Sequence, residues 1–141
     1  MNDILIVDDM IEMRRFMAAL LVRAGFNVRA VGSGQEALDC YKTKKPALVV
    51  LDACMPDMDG VETLQALRAL DHHVKVIGVS GLGPGSATLF LKMMDMVGAY
   101  AILEKPFTPE LFLKTVRTVL NAMSKTHPSP PRLEPAPAGM G

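Results

Sequence analysis

The chain has 141 residues, 50% hydrophobic and 21% charged, the size and composition of one globular domain that can bury a core without disulfides or a structural metal. Fifteen basic residues balance fifteen acidic ones, so no net field draws the chain to nucleic acid or to an anionic membrane. No basic region followed by an apolar stretch opens the sequence, no apolar run approaches the roughly 20 residues of a bilayer span, and Cys40 and Cys54 are too few for a disulfide framework. These features argue against secretion and membrane insertion and set a cytoplasmic location as the expectation.

Short apolar runs alternate with helical patterns along the chain. Asp3 to Val7 reads as a buried strand that ends in the acidic pair Asp8-Asp9. Met13, Phe16, Met17, Leu20, Leu21 and Ala24 then recur at the spacing of an amphipathic helix, stopped at Gly25. Asn27 to Val31 is a second strand. Ser33 and Glu36 have capping-box spacing and open a helix that turns Ala37, Leu38 and Tyr41 inward. Ala47 to Leu51 is the clearest buried strand and ends in Asp52. Gly60 to Leu70 reads as a third helix through Val61, Leu64, Leu67 and Leu70.

Val74 to Val79 is a fourth strand that ends at Ser80. Gly81-Leu82-Gly83-Pro84-Gly85 follows as a loop, then a helix carrying Leu89, Phe90, Met93, Met94 and Val97, with Leu91 on its opposite side. Tyr100 to Leu103 is the last strand and runs into Glu104-Lys105-Pro106. Thr108 is placed as an N-cap with Pro109 at the first helical position, and Phe112, Val116, Val119, Leu120 and Met123 form the inner stripe. From Ser124 onward, five prolines in eighteen residues predict a disordered tail over 124–141, leaving one folded domain over 1–123.

Strands that are apolar throughout and alternate with helices predict an α/β domain, a doubly wound parallel sheet covered on both faces. Ligands of such sheets sit at the carboxyl ends of the strands. Those ends hold Asp8, Asp9, Asp52, Ser80 and Lys105. Three carboxylates brought together repel one another or recruit a cation, and magnesium, a hard ion, takes carboxylates plus phosphate oxygens and water. In that setting Asp52 is the carboxylate best placed as a nucleophile, Lys105 is a point charge for a phosphoryl group, and the Ser80 hydroxyl is a donor to one of its oxygens.

Asp8-Asp9 after strand one, Asp52 with Met55-Pro56-Asp57-Met58-Asp59-Gly60 after strand three, Ser80 after strand four and Lys105-Pro106-Phe107 after strand five resemble a two-component response-regulator receiver domain. The segment from Asp8 to Arg15 is most similar to the chemotaxis-type single-domain members. The resemblance implies a five-stranded sheet in the order 2-1-3-4-5, shared with flavodoxin. It implies that Asp52 is the phosphoacceptor and that Asp9, Asp52 and the backbone carbonyl of Cys54 contact magnesium (or manganese), with Asp8 assisting through water. Ser80 then holds a phosphoryl oxygen, Lys105 pairs with the Asp52 carboxylate and afterwards with the phosphoryl group, and the Lys105-Pro106 peptide is cis. The implied partners are a sensor histidine kinase or histidine phosphotransfer protein as donor and a downstream protein target. That target binds the face of the fourth helix, fifth strand and fifth helix, with motility control as the implied output. Ile102 stands where many receivers carry an aromatic switch residue, and Tyr100, two positions earlier, is on the same face if the strand is regular.

Other functions fit less well. A haloacid-dehalogenase-type phosphatase needs a general acid two residues after the nucleophile, where this chain has Cys54, so free phosphoesters are not expected as substrates and the chain reads as a signalling protein, not an enzyme. A flavin phosphate would be repelled by Asp8, Asp9 and Glu12. A receiver-like adaptor or dimerisation module that works without phosphorylation is the remaining alternative.

Overall fold

In the computed structural model, residues 2–53, 60–80, 92, 95, 96 and 98–122 are described. The elements are β1 (Asp3–Val7), α1 (Ile11–Arg23), β2 (Asn27–Val31), α2 (Gly34–Thr43), β3 (Leu48–Asp52), α3 (Gly60–Leu70), β4 (Val76–Ser80), β5 (Ala101–Glu104) and a last helix over Pro109–Asn121. The five strands form one parallel sheet in the order β2-β1-β3-β4-β5. Cys54, the segment 55–59, the glycine loop with most of the helix after it, Leu91, Met123 and the tail over 124–141 lie outside the described residues.

Burial follows from the period of two along each strand. Leu5, Val7, Val49, Leu51 and Val76 turn to one face, where they pack with Ala37, Leu38 and Tyr41 of α2 and Val61, Leu64 and Leu67 of α3. Ile4, Ile6, Leu48, Val50, Ile77 and Val79 turn to the other, against Met17 and Leu21 of α1 and Phe112, Val116 and Val119 of the last helix. β1, β3 and β4 are therefore covered on both sides, which is why they read as uninterrupted apolar runs. The edge strand β2 is only half-buried.

The helix ends follow the cap chemistry of the sequence. Ser33 Oγ accepts from the Glu36 amide at 3.2 Å, and Glu36 Oε1 reaches back to the Gly32 amide at 2.9 Å, one residue beyond the usual capping-box partner. Thr108 Oγ1 accepts from the Leu111 amide, with Pro109 opening the helix. The opposite end of that helix is closed by Lys75, whose Nζ donates to the carbonyls of Leu120 and Ala122.

Several details differ from the sequence reading. β3, β4 and β5 begin one or two residues later than their apolar runs, because Ala47, Val74 and Tyr100 precede strand pairing. Phe16, placed on the inner stripe of α1, is 41% exposed: it stands about 100° around the helix from Met17 and about 140° from Leu21, outside the buried arc, and Leu70, placed on the stripe of α3, is 47% exposed at the last residue of that helix. Tyr100 lies ahead of β5 and packs with the α1 side, whereas Ile102 packs with the α2 and α3 side, so the two do not share a face.

Away from the strand ends, Tyr41, Asp71 and Lys45 join α2 to the turn after α3. The Tyr41 hydroxyl donates to Asp71 Oδ2 at 2.7 Å, Lys45 Nζ lies 2.8 Å from the same oxygen, and the His73 amide donates to Oδ1 at 2.9 Å. Burial pushes the Asp71 carboxyl up, but these donors outweigh it and hold the group down at about 2. Because the folded-state value lies below the unfolded value of about 3.9, the stability this carboxylate contributes is complete above about pH 4 and is lost as pH falls toward 2. Denaturant titrations should therefore show Asp71→Asn less stable than wild type near neutrality, with the gap narrowing below about pH 4.

Candidate functional site

Strand register brings the chemistry to one edge. Val7, the last residue of β1, is opposite Leu51 of β3, so Asp8 and Asp9 emerge beside Asp52. Asp52 is in turn opposite Val79, and Ser80 is opposite Glu104. The Ala53 amide donates to the Val79 carbonyl and the Lys105 amide donates to the Ser80 carbonyl at 2.8 Å, which extends the ladder past the strand ends. Asp8, Asp9 and Asp52 each place a carboxylate oxygen within 4.8 Å of the others.

These acids sit in different surroundings. Asp8 is 0% exposed and Asp52 6%, whereas Asp9 faces solvent. A buried carboxylate needs partners. Asp8 Oδ1 accepts from the Met10 amide at 2.9 Å, the first amide of the helix start, which no side chain of Met10 can cap. Asp8 Oδ2 meets Lys105 Nζ at 3.2 Å, an ion pair with both side chains largely shielded from water. The sequence reading paired Lys105 with Asp52; the structure places its ammonium on Asp8, the fully buried acid of the pair. Lys105 follows β5 directly and its peptide bond to Pro106 is cis.

Ser80 completes the edge. It is 1% exposed, and its hydroxyl has no hydrogen-bond partner among the described residues. A buried hydroxyl with no partner is costly unless it serves a ligand. Among the described residues, three carboxylates meet the Lys105 ammonium and the nearby Arg14 guanidinium, which leaves an excess of negative charge, and the tight spacing of hard oxygen donors suits a divalent cation such as magnesium. The acidic end could therefore hold a divalent cation, and the Ser80 end offers a hydroxyl donor. Of the residues expected at the site, Asp8, Asp9, Asp52, Ser80 and Lys105 converge. Cys54 lies outside the described residues, and Ile102 and Tyr100 are half-buried at β5, away from any shared face.

A doubly wound parallel domain with an acidic pocket and a lysine at its carboxyl edge is the architecture of a signalling receiver. The chain belongs to the response regulator receiver domain family, whose model matches residues 4–117. It is 35% identical over 121 residues to the chemotaxis protein CheY of Bacillus subtilis, covering 84% of this chain and 97% of that protein. Identity to the probable transcriptional regulator ycf27 of Porphyridium aerugineum is 34%, but the match covers only 49% of that longer protein. Among solved structures, the receiver domain of NtrX from Brucella abortus is similar with a TM-score of 0.78 at 28% identity, covering 84% of this chain and 98% of that one. The chemotaxis protein CheY4 of Vibrio cholerae is similar with a TM-score of 0.76 at 30% identity, over 84% and 98% of the two chains.

Two residues outside the expected set help to build the pocket. Arg14 donates from Nη1 to the Asp8 carbonyl at 2.9 Å. Gly60 lets α3 start hard against the end of β3: its amide donates to the Ala53 carbonyl at 3.1 Å, and a Cβ there would fall onto the Asp52 carbonyl and within 2.6 Å of Ala53 Cα. Backbone cannot yield as a flexible side chain can. Gly60→Ala should destabilise the domain by about 1–3 kcal/mol in denaturant unfolding, since the added methyl forces α3 away from the strand that carries Asp52.

Proposed function

We propose that Asp52 is the phosphoacceptor of a phosphorylation-controlled signalling domain spanning residues 1–123, with 124–141 as a proline-rich tail. The observation that carries this reading is the meeting of three carboxylates, a shielded lysine and a partnerless buried hydroxyl at one sheet edge. The donor is a phosphohistidine on a sensor kinase or a histidine phosphotransfer protein. An Asp52 carboxylate oxygen attacks phosphorus, the P–N bond to imidazole breaks as the P–O bond forms, and the imidazole nitrogen leaves with the electron pair and takes up a proton. Lys105 moves from Asp8 toward the transferred group, offsetting its charge, and the Ser80 hydroxyl donates to one phosphoryl oxygen.

Asp9, Asp52 and the Cys54 carbonyl would hold magnesium, with Asp8 acting through water, and the ion supplies charge neutralisation at the transferred phosphoryl group. Ser80 and Lys105 are joined by a backbone hydrogen bond, so a phosphoryl group drawing on both side chains biases the loop after β4 and the start of the last helix together. The output is a changed protein-binding face on that side of the domain, where Ile102 rather than an aromatic residue occupies the middle of β5.

Incubation with acetyl phosphate and magnesium should yield an acid-, base- and hydroxylamine-labile acyl phosphate, read as added phosphate mass. It should disappear in Asp52→Asn and when magnesium is chelated. Labelling that persists in Asp52→Asn, or that ignores chelation, would contradict the assignment.

A further inference from the structure

Arg14 lies on the first turns of α1, and its half-buried side chain turns back to the acidic loop. Nη1 donates to the Asp8 carbonyl at 2.9 Å. The Asp8 amide is tied to the Val31 carbonyl at 3.1 Å, so the main chain of Asp8 is held on one side by β2 and on the other by Arg14. The Asp8 carbonyl and the Asp9 amide belong to one rigid peptide plane. Fixing that carbonyl therefore fixes the direction in which Asp9, the exposed acid of the set, leaves the strand end.

Room for the guanidinium is made elsewhere in the fold. A Cβ at Gly32 would lie 2.6 Å from Arg14 Nη1 and 3.6 Å from its Cζ. Gly32 is itself held in place, because its amide donates to Glu36 Oε1 at 2.9 Å within the cap of α2. The turn after β2 thus forms a floor on which the arginine rests while it grips the acidic loop. Two loops that are far apart in sequence converge on one carbonyl.

Building on the receiver reading, we propose that Arg14, seated against Gly32, is a positioning residue that orients the Asp8–Asp9 peptide so that the acids present their oxygens to a divalent cation. The Arg14 charge by itself repels a cation, so removing the side chain mixes two opposing effects. Gly32→Ala separates them: it keeps the charge and displaces only the guanidinium, whose flexible end can move without breaking the fold.

The test is Mn2+ affinity of the full chain, followed by electron paramagnetic resonance of the free ion and checked by Mg2+ competition. Groups that orient metal ligands typically matter by 10–100-fold, so Gly32→Ala should weaken Mn2+ binding by about tenfold. Its melting temperature in metal-free buffer should stay unchanged. In an Arg14→Met background, Gly32→Ala should cause no further loss. Unchanged affinity in Gly32→Ala, or the same fold loss with and without Arg14, overturns the positioning role while leaving the receiver reading intact. A wild-type chain that binds no Mn2+ overturns both.

Discussion

The structure depends on how like charges are tolerated at the carboxyl edge of the sheet. Because β1 lies next to β3, two acids after one strand meet a third at the end of the other, with oxygens within 4.8 Å. Such a cluster is unfavourable in a protein interior unless donors and cations surround it. The fold supplies them: the Met10 amide and Lys105 ammonium on Asp8, and the Arg14 guanidinium on the Asp8 carbonyl. What remains is an excess of negative charge at a site open to solvent through Asp9.

Under the proposed function, that residual imbalance is what leaves the pocket responsive. A fully satisfied pocket would have nothing to gain from a cation or a phosphoryl group, whereas this one holds a shielded ion pair that can be rearranged and a buried Ser80 hydroxyl that lacks a partner. The hydrogen bond from the Lys105 amide to the Ser80 carbonyl joins the two groups that would answer a new charge at Asp52. The apolar clusters on both faces of the sheet provide the rigid frame against which such a small change can be felt.

Much of this could be read from the chain. The runs Asp3 to Val7 and Asn27 to Val31 match β1 and β2 because burial on both faces, or pairing at an edge, leaves a clear apolar signature, and the Thr108-Pro109 start of the last helix is fixed by local cap chemistry. The acids, Ser80 and Lys105 were legible because the strand-end rule turns a linear pattern into a spatial one. Side-chain partners were not, since they depend on depth: Lys105 is on Asp8, the more deeply buried acid. Phe16 shows the same limit, because an apolar residue at a plausible spacing can stand just outside the buried arc. Arg14 and Gly32 gave only faint signals, a basic residue one turn past an acidic loop and a glycine ahead of a capping box.

A crystal structure of the chain with magnesium and beryllofluoride tests the account most directly. The account predicts a fluoride-bearing beryllium on an Asp52 carboxylate oxygen, the ion held by Asp9 and Asp52, and the Ser80 hydroxyl and Lys105 ammonium each on a fluorine. Beryllofluoride bound elsewhere, or bound at Asp52 with Ser80 still partnerless and Lys105 still on Asp8, would contradict it.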